Sequence, residues 1–259
     1  MTAINLFDTH AHLNEPELAK DLPGVLERAH LAGVSHIATI GYDWQSSLYA
    51  VYLAEKHKHI HAVVGIHPHD AQTLTKEIYQ RLAELAQSPK VVAIGEIGLD
   101  YYRDLSPREA QKKAFIEQIH LAQDLHKPIV IHDRDAHADL MKIVRKEKAG
   151  VNGGIMHCYS GSWEMAKEAI NLGFYISIAG PVTYKNARAL PEVVAKMPLD
   201  YLLVETDCPY LTPEPYRGKT NEPAYVRLVA EKIAAIRGES LETIAENTTH
   251  NAFKVYGLN

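Results

Sequence analysis

The sequence is poor in cysteine; Cys158 and Cys208 are the two it has. Two thiols exclude a disulfide framework and predict a reducing, cytoplasmic setting. No run of 18 apolar residues occurs, so no helical membrane span is expected. The opening segment MTAINLFDTHAHL lacks a basic stretch followed by a long apolar one, and no secretory signal is expected. Excess positive charge is also missing. The net charge is −5 with histidine neutral, opposite in sign to the basic footprint usual in nucleic-acid binders, although a metal site can supply positive charge locally. A hydrophobic share of 46% with 23% charged residues excludes disorder.

What is abundant is histidine, with 15 copies. Histidine is the commonest metal ligand, so placement matters more than number. Short β-branched runs recur along the chain at Ile4–Phe7, His36–Ile40, His61–Ile66, Val91–Ile94, Pro128–Ile131, Gly154–Met156, Phe174–Ile178 and Tyr201–Val204. Each is short enough for a strand. Between them lie amphipathic stretches, at Glu15–Leu31, Trp44–His57, Thr75–Ala86, Pro107–Leu125, Ala136–Lys146, Trp163–Leu172 and Asn186–Lys196; Glu222–Arg237 and Leu241–Val255 follow the last run. Ser106 is expected to cap the fourth of these helices, with Pro107 at its first position, and Ser240 to cap the last. Alternating strands and helices imply parallel pairing. Eight such units in 259 residues predict a single α/β domain over 1–259, a (β/α)8 TIM barrel. An open doubly wound sheet is the runner-up. A dinucleotide binder would place glycines after its first strand, where this chain has THAHLNEP.

In such a barrel the active site is built at the carboxyl ends of the strands. Those ends carry His10 and His12, then His67, then Glu96, then His132, then His157, then Glu205 and Asp207. Residues two apart on extended chain share a face, so both imidazoles of the first strand can enter the barrel mouth. Alternation sends Cys158 toward the helix layer and Cys208 away from Asp207. Any one of these groups alone has an ordinary structural explanation. Together, at least four histidines and two carboxylates at one end make a cluster that stability does not require, because burying each costs several kcal/mol unless it is paired or metal-bound. Six N/O ligands exceed the three of a mononuclear catalytic zinc. Two ions sharing a glutamate fit better, as in sites that clamp both oxygens in phosphoryl transfer. Without thiolates, Mg, Mn, Zn, Ni or Co are all admissible.

The ordered series FDTHAHL, GIHPH, GEIGLDYY, PIVIHDRDA, HCYSGS, YISIAG, ETDCPYLTP and RGKTNEP resembles the TatD family of metal-dependent hydrolases, described as deoxyribonucleases. The resemblance runs from Phe7 through the NTTHNAF segment near the end of the chain. It implies a TIM barrel of the amidohydrolase-like group. It also implies a ligand set of His10, His12, Glu96, His132, His157 and Asp207. The first-strand pair and Asp207 would hold one ion, and His132 and His157 the other, with Glu96 between. The implied activity is a divalent-metal-dependent nuclease, often 3′-to-5′ on single-stranded ends. Release of D-amino acids from tRNA is another role assigned among relatives.

Glu96 and Asp207 are the expected catalytic groups, Asp207 as the base that orients and deprotonates water. His67, Arg134 and Arg217 are the expected substrate contacts, since arginine suits bidentate phosphate recognition. Tyr101, Tyr102, Tyr159 and Tyr210 are expected around the mouth, where base stacking or plain rim packing would occupy them. The alternative activity is a small-molecule amidohydrolase or phosphoesterase, which needs no cationic loops. The expected partner is nucleic acid, with no obligatory protein partner.

Overall fold

The computed structural model describes residues 4–258; residues 1–3 and 259 of the expected domain lie outside the described residues. Eight parallel strands follow one another in sequence order around one sheet: β1 Leu6–Ala11, β2 Val34–Ile40, β3 Ile60–Val64, β4 Val91–Asp100, β5 Ile129–Arg134, β6 Gly154–Met156, β7 Phe174–Ile178 and β8 Leu202–Val204. Helices cover the outside, so the molecule is a (β/α)8 TIM barrel.

The interior below the mouth is filled by about one side chain per strand, including Phe7, Val63, Val130, Ile155, Tyr175 and Leu203. The last helix, Leu241–Val255, closes this end with Ala252 and Val255. The Tyr256 hydroxyl that follows it donates to the Thr9 carbonyl at 2.8 Å. Layered filling of this kind makes the barrel a packed core rather than a pore.

The β8–β1 seam closes through few ladder bonds. Asp207 N–H donates to the His10 carbonyl at 2.9 Å and His12 N–H to the Cys208 carbonyl at 2.8 Å. Side chains add the rest. The Asp8 carboxylate accepts the Thr206 N–H at 2.9 Å and the Thr206 hydroxyl at 2.6 Å, and the Thr9 hydroxyl donates to the Val204 carbonyl at 3.0 Å. Two register shifts sit where functional groups leave the strands, one in β1 between Asp8 and Ala11 and one in β4 between Ile94 and Ile97. Such irregularities re-aim side chains, here His10 and Glu96.

Several boundaries differ from expectation for local reasons. The Glu15–Leu31 stretch is two helices, Pro16–Ala19 and Leu22–Leu31. Pro23 has no N–H to continue the ladder, so the first helix cannot run into the second. The helix expected from Pro107 spans Arg108–Asp124 with Pro107 itself at the cap position. Ser106 instead donates its hydroxyl to the His69 carbonyl at 2.7 Å. Ser240 does cap its helix, accepting from Thr243 N–H at 3.1 Å. The Asn186–Lys196 helix begins at Ala189. β4 outruns its apolar run by six residues, continuing through Glu96 to Asp100. Gly98 makes this possible at φ +147°, where a Cβ would collide with the His132 carbonyl oxygen.

Candidate metal centre

The expected ligands converge at the carboxyl ends of the strands, and Glu96 stands at their middle. Its Oε2 lies 3.4 Å from His10 Nε2 and 3.9 Å from His12 Nε2. Its Oε1 lies 2.7 Å from His132 Nδ1, 3.3 Å from His157 Nε2 and 3.6 Å from His67 Nε2. Each carboxylate oxygen thus serves a different set of imidazoles. Asp207 completes the first set, with Oδ1 at 3.3 Å from His12 Nε2 and 3.7 Å from His10 Nε2. His10 and His157 stack with ring centroids 3.6 Å apart, which keeps the two sets adjacent.

The donor set fits a bound cation. Glu96 and His10 are buried, and among the described residues no lysine or arginine pairs with Glu96. The neighbours that remain to neutralise it are histidines, and they cannot all be charged. Burial, then the neighbouring His157, pushes His10 below its ordinary value. Burial, then His132, lowers His67 to about 4. The His10 and His12 Nε2 atoms face each other at 3.3 Å, and the Nδ1 atom of each is buried without a hydrogen-bond partner. Imidazole nitrogens and carboxylate oxygens that converge on one point are what a divalent cation satisfies. Three combinations bring ligand atoms close enough: His10 with His12 and Glu96; His10 with His157 and Glu205; and His67 with Glu96 and His132.

Protonation separates the roles further. Burial raises Glu96, but His157, His67 and its hydrogen bonds from His10 and His132 outweigh it and hold the carboxyl well below its ordinary value. Asp207 is lowered in the same way, burial being outweighed by His12 and His157. His67 differs from the other imidazoles. Its Nδ1 accepts the His69 N–H at 3.1 Å, which leaves the proton on Nε2 when the ring is neutral. That nitrogen is then a donor toward the cleft, not a lone pair for a metal.

Matching these features, a family model described as TatD related DNase covers residues 7–257. The chain belongs to the TatD family. A Bacillus subtilis protein named metal-dependent hydrolase YabD is 48% identical over 254 residues, covering 98% of this chain and 100% of that one. A 3′-5′ ssDNA/RNA exonuclease TatD from Enterobacter lignolyticus is 36% identical over 259 residues, covering 98% and 99%. The crystal structure of YjjV, a TatD homolog from Escherichia coli K12, superposes with TM-score 0.94 at 29% identity over 100% of both chains. This TatD chain is a metal-dependent hydrolase acting on ester bonds.

The centre opens into a cleft of about 520 Å³ lined by His12, His67, Glu96, His132, His157 and Asp207. The expected substrate contacts divide. His67 lines the cleft, whereas Arg134 lies over the Tyr102 ring at 4.8 Å and Arg217 over the Tyr184 ring at 4.3 Å. Residues without a sequence signal for this role also line it: Glu15, Tyr42, Asp70, Arg103 and Leu105. Glu15 faces the hydroxyls of Tyr42 and Tyr210; burial and this carboxylate raise the Tyr210 phenol to about 12. Cys158 departs from the alternation expected of it. At φ +42° its thiol comes under the influence of Asp207, Glu205 and Glu96, which add to burial in pushing it well above its ordinary value. It belongs to the side of the site, not to the helix layer. Cys208 is fully buried, as a small apolar side chain would be.

Proposed function

We propose that this TatD protein, one hydrolase domain over 1–259, is a divalent-metal-dependent phosphodiester hydrolase of the 3′-to-5′ deoxyribonuclease type. The observation that carries the reading is the position of Glu96, with one oxygen toward His10 and His12 at 3.4 and 3.9 Å and the other toward His132 and His157 at 2.7 and 3.3 Å. A carboxylate so placed suits a shared ligand. Two divalent ions, drawn from Mg, Mn, Zn, Ni or Co, would be held by His10, His12 and Asp207 on one side and by His132 and His157 on the other, with Glu96 common to both. When bound, they supply Lewis acidity that lowers the pKa of water and offsets charge on phosphate oxygens.

The chain's own groups do the rest. Asp207 is ionised and borders the cleft, so it can orient an attacking water and accept its proton. His67, carrying its proton on Nε2, donates a hydrogen bond to a non-bridging phosphate oxygen. Arg134 and Arg217, exposed on their aromatic supports, meet the strand outside the cleft. The Enterobacter relative's name, 3′-5′ ssDNA/RNA exonuclease, supports a single-stranded substrate. Among the described residues no helix is long and apolar enough to cross a membrane, and we place the protein in the cytoplasm with no obligatory protein partner.

The test is a metal-by-substrate screen on EDTA-stripped protein. It uses end-labelled single- and double-stranded oligonucleotides, a phosphodiester dye and an N-acyl amide. Stepwise shortening of the single strand from its 3′ end on metal addition is expected. Faster turnover of the amide than of any phosphodiester would replace this reading with an amidohydrolase.

A further inference from the structure

Arg103 follows β4, in the turn that leads toward the helix Arg108–Asp124. Its backbone is anchored. Asp100 Oδ1 accepts the N–H of Tyr102 at 3.0 Å and of Arg103 at 2.7 Å. The other oxygen of the same carboxylate faces His132 Nε2 at 3.1 Å and His69 Nε2 at 2.8 Å. One buried group therefore fixes the base of Arg103 relative to an expected metal ligand. Arg103 lines the cleft together with Glu96, His132, His157 and Asp207.

Its charge is not neutralised by a neighbour. Among the described residues Arg103 forms no ion pair, while Arg108 takes the adjacent Asp104 at 3.1 Å. The other residues of opposite charge on the cleft wall, besides Glu96 and Asp207, are Glu15 and Asp70. Arg103 is thus an arginine free to meet an anion in a protein of net charge −5. The same cleft exposes two large apolar surfaces, Leu105 at 65% and Tyr210 at 50%. A guanidinium beside apolar platforms suits a nucleotide strand, with phosphate on the fork and a base or sugar on the platforms.

We propose that Arg103 binds the phosphate adjacent to the scissile one, making it the determinant by which the cleft prefers a strand to an isolated phosphodiester. The proposal rests on the phosphodiester reading above. Arg103→Ala and Arg103→Lys would be assayed as metal-loaded full-length protein. The substrates are a short single-stranded oligonucleotide, a dinucleoside monophosphate and bis(4-nitrophenyl) phosphate. For Arg103→Ala, KM on the oligonucleotide should rise about tenfold or more, as expected for one charge-assisted contact, with a much smaller change in kcat. The slope of log kcat/KM against log salt should flatten by roughly 0.7, one phosphate's share for a single strand. The two substrates with one phosphate should lose far less, and Arg103→Lys should fall between. If wild type hydrolyses all three and Arg103→Ala affects them alike, or leaves the oligonucleotide KM and salt slope unchanged, the contact is refuted while the phosphodiester reading stands. If wild type hydrolyses none with any divalent metal, that reading falls and takes the proposal with it.

Discussion

Glu205 stands behind His157, its Oε1 2.9 Å from the imidazole Nδ1. The opposite nitrogen of the ring, Nε2, points at Glu96 Oε1 across 3.3 Å. The Cys158 N–H donates to the same Glu205 oxygen at 2.6 Å, which holds the carboxylate in place. Asp100 has the corresponding relation to His132, with its Oδ2 3.1 Å from Nε2 while Nδ1 faces Glu96 at 2.7 Å. The hydrogen bond to Asp100 fixes the His132 tautomer, a carboxylate this close to either imidazole raises its basicity, and losing such a group usually weakens metal binding 10–100-fold. Glu205→Gln is therefore expected to weaken metal affinity within about that range, read by competition with a chelating dye, and to restore much of its activity at high metal. Unchanged affinity would make Glu205 a filler of the β8 end and nothing more.

Glu96→Gln tests the shared position. The amide keeps the size but removes a charge and turns one oxygen into a donor, facing imidazoles that need an acceptor. Activity should fall at least ~10²-fold, because the activated water depends on both sides of the site. The circular dichroism spectrum should stay that of the wild type, and bound metal per chain should drop. Full turnover with unchanged metal content would remove Glu96 from the role of common ligand.

Much of this architecture is legible in the sequence because it rests on short-range signals. HIATI and FYISI are β-branched runs of strand length, and both are strands. The gathering of histidines and carboxylates at one end follows from the strand count and the barrel rule, while the exact aim of His10 and Glu96 comes from the register shifts of β1 and β4. What escapes is where long or irregular side chains go. Arg134 and Arg217 look like the cleft's cations in sequence, yet each is drawn over a tyrosine from a different loop. Arg103 occupies the cleft because the Asp100 carboxylate turns the chain there, a contact no periodicity reveals. Cys158 breaks alternation because its backbone takes positive φ, and β4 continues past its apolar run because Gly98 tolerates a conformation other residues do not.

Metal removal should be visible in stability as well as in activity. The histidines and carboxylates of the centre stand in or just after β1, β4, β5, β6 and β8, so a ligand set of this kind ties the closing seam to the middle of the sheet. A ligand at 100 times its Kd stabilises a fold by about 2.7 kcal/mol. For a chain near this size that is roughly 5–10 °C in Tm. EDTA should lower the melting temperature of metal-loaded protein by about this amount and readdition should restore it. Equal melting curves with and without chelator, despite metal-dependent activity, would mean that the native site binds metal weakly or no better than the unfolded chain does.

The opposite end of the barrel supplies a pH dependence independent of metal. His61 is buried beside Phe7, with its Nε2 3.0 Å from His36 Nδ1 and the two rings stacked. Burial, then His36 and Lys90, lowers His61 to about 4. The folded state therefore keeps the ring neutral while the unfolded chain protonates it near its ordinary value. Between about pH 6.5 and 4 the unfolded state binds more protons, so this group's contribution is fully present above that window and declines as pH falls through it. The loss is bounded by about 3 kcal/mol, at ~1.4 kcal/mol per unit. Replacing the titrating ring with an aromatic of similar shape, His61→Phe, should flatten the decline in Tm between pH 6.5 and 4 while leaving metal-dependent hydrolysis at neutral pH near that of wild type. Parallel Tm–pH curves for the two proteins would show that acid destabilisation originates elsewhere.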